Sequence, residues 1–461
     1  MHMTKHIDEM LTPQILSNGV GYDRTTVLHG NIIVLDSCDH NCVSITDGHA
    51  TVCGTSKESA AQGLGYIRQL EALFDGKVPV CEFEYSDPAF PYRGFLIDVC
   101  RHFVPVCELK RIIDIMSMIG FNYFQWHLTE DQGWRFSVAG YPRLEEISST
   151  RQNREYVGHE LYHKGFYSDE DLKDVISFCS ERNVTVRPEI EIPGHATALL
   201  AAYPEFGCTG KALEVESRWG IFHDVLNPAS EALWTFLDRA IGKLATIFPG
   251  PYIHIGGDEC PHDQWEENED CRNLMKKNNL KDGVELQGWV TSKAAQIVKR
   301  HGKRAMGWDE VVEAPSIDES VVVMSWRGLD GAKTASSRGH NVILCPYQGL
   351  YFDKGYTTDP FEPEQWGVYS VRDTFEVDIS IKELPKKQRD LILGGQCNVW
   401  TEQMHNGREI EYMMFPRAFA LADSLWLGEN TCWEKMKVRR DAVRELCWNK
   451  NIVCSPARWE E

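Results

Sequence analysis

PYIHIGGDECP, residues 251–261, reads as a short apolar strand (252–255) that passes through a Gly-Gly pair straight into two adjacent acids, Asp258 and Glu259. Acids set directly after a buried strand are what a barrel enzyme shows at the C-terminal ends of its strands. Working outward, the same grammar repeats from Tyr92 onward. Strand candidates fall at 94–100, 123–128, 185–192, 252–255, 304–308, 321–326, 341–344 and 391–400, each a β-branched or apolar run separated from the next by helical patterns. Two helix starts carry physical signals. Ser168 precedes Asp169, Glu170 and Asp171, a cap followed by acids that suit the helix dipole. Asn227 precedes Pro228, a capping side chain before a proline at the first helical position. Eight strands with intervening helices close most economically into an α/β fold, the (β/α)8 TIM barrel. The competing arrangement is an open doubly wound sheet, but no G-x-G-x-x-G turn follows the first strand to support a dinucleotide site.

The strand ends hold the chemistry. In order they offer Asp98 and Arg101, then His127, Glu130 and Asp131, then Glu191 and His195, then Asp258 and Glu259. Trp308 and Asp309, Trp326 and Arg327, Tyr351 and Asp353, and Trp400 and Glu402 follow. Carboxylates, one arginine, a histidine and several indoles suit neither a phosphate nor a metal well. They suit a sugar, because indole faces stack on pyranose C–H surfaces and charged side chains hold hydroxyls. Asp258 and Glu259 are adjacent at a strand end, where successive side chains diverge, so they are poorly placed to attack one sugar from opposite faces. His102 and His127 read as satisfied structural groups, and Glu189 and Glu191 as polar residues of the barrel interior.

The length, 461 residues, fits a barrel of ~250 residues plus a smaller unit. Residues 1–88 read as a small N-terminal α+β domain, with strands at 31–35 and 43–46 and an amphipathic helix at 58–73. A proline-bearing connector at 86–91 leads into the barrel, assigned to 89–461 with a C-terminal helix. Lys+Arg number 48 against 68 Asp+Glu, a formal charge of −20, which disfavours nucleic acid and anionic membrane as partners. The basic run 437–440 reads as a solvated helix face. No apolar run reaches the ~20 residues of a membrane span, and the first thirty residues hold no secretory apolar core, so a cytoplasmic location is expected. Of the 15 cysteines, Cys100, Cys179, Cys345 and Cys397 sit in apolar runs, as buried free thiols do. Cys38 and Cys42 flank a loop with no second Cys/His pair at zinc spacing.

His254-Ile255-Gly256-Gly257-Asp258-Glu259 resembles glycoside hydrolase family twenty, the β-N-acetylhexosaminidases. The resemblance recurs in order at Arg93-Gly94, at Asp98 to Phe103, at Trp126 to Arg135 and at Pro193-Gly194-His195. It continues at Gly307 to Glu310, Ser325-Trp326, Tyr351 to Asp353, Trp366 and Trp400 to Glu402. It covers residues 92–426 closely and the first ninety loosely.

The resemblance implies an exo-acting, retaining hydrolase that releases terminal N-acetylhexosamine by substrate-assisted catalysis through an oxazolinium ion. Glu259 would be general acid, then base. Asp258 would orient the 2-acetamido group and Tyr351 would donate to its oxygen. Arg101, Asp353 and Glu402 would hold the outer hydroxyls, with Trp308, Trp326 and Trp400 walling the acetamido pocket and Trp366 lining it. His195 and Glu130 would support Glu259. Here the chain departs from the commonest pattern, which has Asp where Glu130 stands, so the geometry of that support is the point to examine. The partner is a glycan ending in N-acetylhexosamine; no cofactor and no metal is called for. The competing readings are a catalytically silent glycan-binding barrel and a metal-dependent hydrolase.

Overall fold

The computed structural model describes residues 24–153, 162–364, 366–457 and 459. The first 23 residues of the expected N-terminal unit therefore lie outside the described residues. Eight parallel strands form a closed barrel: β1 (Tyr92–Asp98), β2 (Tyr123–His127), β3 (Thr185–Glu189), β4 (Tyr252–His254), β5 (Arg304–Trp308), β6 (Val322–Ser325), β7 (Val342–Leu344) and β8 (Ile392–Val399). β8 closes onto β1 in register from Gly394 opposite Tyr92 to Val399 opposite Ile97. Every strand expected from the sequence is present, and the open-sheet alternative is excluded by that closure. Both faces of a barrel strand are covered, so the strands read as continuous apolar runs rather than as alternating ones. β1 is buried along its whole length.

The helices follow from local signals with one displacement. Helix Asp169–Ser180 starts in a capping box: the Asp171 N–H donates to Ser168 Oγ (3.1 Å) and the Ser168 N–H donates to Asp171 Oδ2 (2.9 Å). The next helix begins later than Asn227-Pro228 suggests. Asn227 Oδ1 accepts from the Ala229 N–H at 2.9 Å, closing a local turn, and Ser230 caps helix Glu231–Ile247 instead. The Lys437–Arg440 stretch is also less solvated than its composition implies. Arg439 is fully buried, with Nη1 2.6 Å from Asp423 Oδ2, because it lies between two helices of the carboxyl end.

The small N-terminal unit is a four-stranded sheet in the order Ile32–Leu35, His49–Cys53, Cys42–Thr46, Cys81–Glu84. Sequence reading missed the second and fourth of these, since each is short and flanked by polar turns. Helix Lys57–Leu73 lies between this sheet and the barrel helices Val106–Met118 and Arg440–Asn449. No described helix is long and apolar enough to cross a membrane.

Two buried arginines brace the rim where the site forms. Arg135 donates from Nε to the Val99 carbonyl (2.8 Å), from Nη2 to the Cys100 carbonyl (2.6 Å), and from Nη1 to the carbonyls of Ser149 and Gly165. Arg417 does the same behind Asp353, reaching the carbonyls of Phe352 (3.0 Å), Lys354 (2.7 Å) and Met413 (2.6 Å). Arg417→Met strands the Phe352 and Lys354 carbonyls without donors and leaves that of Met413 only the Tyr356 hydroxyl at 3.1 Å. It is expected to lower the unfolding free energy by about 3 kcal/mol, read as a fall in the urea midpoint at unchanged slope. A midpoint equal to wild type would show that the brace is dispensable.

Candidate active site

The site is assembled at the C-terminal rim. Asp98, the last residue of β1, is fully buried and fixes the turn after it: Oδ1 accepts from the Cys100 N–H (2.7 Å), and Oδ2 from the Thr401 N–H and hydroxyl (both 3.1 Å). One carboxylate thereby ties the turn bearing Arg101 to the end of β8, which bears Trp400 and Glu402. Arg101 Nη2 lies 3.4 Å from Glu130 Oε2, and its guanidinium sits 5.3 Å from the Trp400 ring centre.

Asp258 and Glu259 lie beyond β4, not on it. β4 ends at His254, and Gly256 and Gly257 take φ of +65° and +101°, a conformation that an L side chain resists. A Cβ at Gly256 would also meet the carboxylate end of Glu191, which would have to move aside. Glu259 follows at φ +45°. This loop overturns the divergence expected of strand neighbours. Both carboxylates turn to one histidine, with His195 Nε2 3.6 Å from Asp258 Oδ2 and 3.5 Å from Glu259 Oε2. Asp258 is the deeper of the two, with its side chain 15% exposed against 34% for Glu259.

His195, itself at φ +48°, is held from behind. Its Nδ1 lies 2.8 Å from Glu130 Oε1 and 3.1 Å from Asp131 Oδ2, and Asp131 is anchored in turn by the Thr197 N–H (2.9 Å). Glu130 therefore reaches His195 despite its extra methylene. Burial opposes charge on His195, but Glu130 and Asp258 hold its pKa well above the usual imidazole range. Burial pushes the Asp258 carboxyl up to about 7, against the pull of His195 and with help from Glu259. Burial also raises Asp353 to about 7, opposed by Lys354, and keeps the Tyr351 hydroxyl protonated as a donor.

The walls are aromatic. Trp326 stacks on Tyr351 at 6.1 Å between ring centres, and Tyr351 meets Trp400 at 6.0 Å. Trp326 Nε1 donates to Glu310 Oε2 at 2.9 Å. The cavity these groups enclose is about 350 Å³, lined by all the expected site residues except Trp308. Trp308 lies one layer deeper. It is buried beneath Trp400 (5.9 Å) among Met306, Met324 and Ile343, because it is the last residue of β5 and points down the barrel axis. Trp366 stands at the mouth and is 77% exposed, a rim residue rather than an inner wall.

Sequence reading gave no role to Lys354 or Tyr347, which also line the cavity, nor to Asp131. Lys354 Nζ lies 3.8 Å from Asp353 Oδ2. Its position directly after Asp353 was the only available signal. Among the described residues, four groups of acids with His or Cys come close enough to face one ion, among them His195 with Asp258 and Glu259. In these groups the ring nitrogens of His127 and His195 face carboxylates, which hold both imidazoles above their usual pKa against the opposing effect of burial.

Comparisons with known proteins agree with this geometry. Residues 90–429 match the family model described as glycosyl hydrolase family 20, catalytic domain. A β-hexosaminidase of Porphyromonas gingivalis is 40% identical over 388 residues, 82% of this chain and 49% of that protein. One of Vibrio furnissii is 35% identical over 73% of this chain and 57% of its own length. The chain thus spans about half the length of these relatives. The crystal structure of a family 20 exo-β-N-acetylglucosaminidase from Vibrio harveyi, in complex with N-acetylglucosamine, superposes with a TM-score of 0.85 at 25% identity, covering 98% of this chain and 79% of that one. The matched stretch runs from just before β1 to just past the second of the two helices that follow β8, and so takes in every strand end that bears the site: the chain belongs to glycosyl hydrolase family 20.

Proposed function

We propose that the site removes a terminal β-linked N-acetylhexosamine from a glycan, with retention and through an oxazolinium ion. The observation that carries this reading is the unequal placement of two neighbouring carboxylates on one histidine: Asp258 deep beside the aromatic walls, Glu259 toward the opening. An exposed acid at the mouth suits the glycosidic oxygen, which must face solvent or the rest of the glycan. A buried acid suits the acetamido N–H, where positive charge develops away from water. A cavity of about 350 Å³ is at the small end for ligand sites, which favours a single sugar unit and exo action.

In the first step the acetamido carbonyl oxygen bonds to C1 as the C1–O bond to the leaving group breaks, and Glu259 donates its proton to the departing oxygen. The anomeric electron pair leaves with that oxygen, and Asp258 faces the cationic ring nitrogen. In the second step Glu259 takes a proton from water, whose oxygen bonds to C1 and reopens the ring on the original face. Tyr351 donates to the acetamido oxygen, and Arg101, Asp353 and Glu402 hold the outer hydroxyls.

The test is the anomer first released from a chromogenic N-acetyl-β-glucosaminide, followed by NMR, together with its pH dependence. The β anomer should appear first; an α anomer, or no turnover at all, would overturn the reading, the latter in favour of a binding barrel. Asp258 must be ionised to act, and its carboxyl sits up near 7 in the free protein. Activity is therefore retained above that pH and lost as pH falls through it, giving an acid limb in kcat/KM near neutrality. The bound acetamide favours the anion, so the limb in kcat should lie lower. Asp258→Asn should erase this limb and reduce kcat by about 10²-fold. An unchanged limb would assign it to another group.

A further inference from the structure

A cluster of buried charge without a role so far lies at the ends of β2, β3 and β4. His127, the last residue of β2, is held on both sides: Nδ1 is 2.6 Å from Glu189 Oε2 and Nε2 is 3.1 Å from Glu130 Oε2. Glu189, the last residue of β3, meets a second imidazole, His254 Nδ1, at 2.7 Å and accepts from Gln125 Nε2 at 2.7 Å. Glu130 then passes its other oxygen to His195 Nδ1 at 2.8 Å, and His195 faces Asp258 and Glu259.

We propose that His127 and Glu189 are positioning residues for the catalytic pair, an ion clamp that pins one oxygen of Glu130 so that the other meets His195. The proposal rests on the roles given above to Asp258 and Glu259 and adds two side chains that touch no substrate. A glutamate carries one more free torsion than an aspartate, and an unclamped carboxylate at the end of it would sample positions away from His195. Glu130 is fixed at both oxygens: His127 and Arg101 face Oε2, while His195 and the Asp131 N–H (3.0 Å) meet Oε1.

The clamp needs a cation at its centre, and the surroundings supply the reason for one. Burial opposes charge on His127, but Glu189 and Glu130, with Asp98 of β1 further off, push its pKa up to about 10. Glu191 Oε1 stands 3.8 Å from its Nδ1, the Trp400 ring centre lies 5.1 Å away, and Arg101 approaches through Glu130. His254 takes the opposite state: burial, with Arg187 and His127 adding to it, lowers its pKa despite Glu189. The proton of this histidine pair thus resides on the member next to Glu130.

Removing that cation makes every remaining acid of the network harder to ionise. The basic limb of kcat/KM, set by loss of a proton from this acid network, should then move upward. The experiment compares kcat/KM profiles of the full chain with His127→Gln and Glu189→Gln, on an alkyl N-acetylglucosaminide and on its dinitrophenyl counterpart. The expected result for His127→Gln is a basic limb displaced upward by about half a pH unit or more; Glu189→Gln removes an anion together with its hold on the cation and should show the kcat loss without that displacement. Kcat on the alkyl substrate should fall by about tenfold at nearly constant KM, with a smaller loss on the dinitrophenyl substrate, which needs little acid assistance. A His127→Gln limb superimposed on wild type, or equal losses on both leaving groups in either variant, would overturn the clamp and leave these residues merely structural. If either variant fails to unfold cooperatively, Glu130→Asp decides: the shorter arm withdraws the carboxylate from its contacts with His127 and His195 and should reproduce the leaving-group-dependent loss of kcat, and wild-type kinetics sink the proposal. Wild-type turnover in Glu259→Gln would instead defeat the functional reading itself, so the two failures are distinguishable.

Discussion

Glu259→Gln is expected to reduce kcat on alkyl or oligosaccharide substrates by about 10³-fold, within the range typical of a lost general acid–base. An amide cannot donate a proton to the leaving oxygen, and it cannot accept one from water afterwards. The loss should depend on the leaving group. With a dinitrophenyl substrate the first step needs little protonation, so the variant should form the oxazolinium species and then stall for want of a base. Azide attacks without deprotonation and should restore turnover, yielding the β-glycosyl azide. The isosteric change at a partly exposed side chain should leave the unfolding midpoint near wild type. Turnover of the alkyl substrate within tenfold of wild type, or an azide product of the α configuration, would remove Glu259 from its place.

The larger effect belongs to the substrate. A β-glucoside, with a hydroxyl where the acetamide stands, should lose at least about 10⁴ in kcat/KM, because a well-placed intramolecular nucleophile is equivalent to 10⁵ M or more of an external one. Neither carboxylate can replace it. Asp258 and Glu259 converge on His195, and the cavity's other acids, Glu130, Asp353 and Glu402, are taken up by His195 and by the outer hydroxyls in the reading proposed above. Substrates with one, two and three fluorines on the acetyl group should slow in that order as the carbonyl oxygen weakens. The decline should fall on kcat rather than KM, since only bonding in the transition state is lost. A glucoside cleaved within a hundredfold of the N-acetylated substrate, or a fluorine series with constant kcat, would show that the displacement is made by something else.

The unequal environments of the neighbouring acids connect both expectations to the fold. Gly256 and Gly257 carry the chain away from β4 in a left-handed turn, after which Asp258 lies deeper than Glu259. A side chain at Gly256 would collide with Glu191, the buried acid whose own pKa burial and Asp258 push well above the carboxylate range. Acid–base division between two like residues, set by surroundings rather than by residue type, is the general way such pairs are separated.

Much of this was legible in the linear chain, and for a definite reason. Strands buried on both faces are continuous apolar runs, and barrel strands end in the residues that do chemistry, so periodicity gave the eight strands and their terminal residues gave the members of the site. The capping box at Ser168 was readable because a helix start is settled by residues three apart. What escaped was set by contacts between residues far apart in sequence. Asn227-Pro228 looked like a helix start but made its own turn. Arg439 looked solvated until a distant helix brought Asp423 to it. Trp308 and Trp366 looked alike in sequence, yet one points down the axis and the other stands in solvent. The residue types at the rim were thus determined by the sequence alone. Their depth, their charge states and the convergence of Asp258 and Glu259 on His195 were decided only by tertiary structure, because burial and pairing across the barrel depend on which strands become neighbours when the sheet closes.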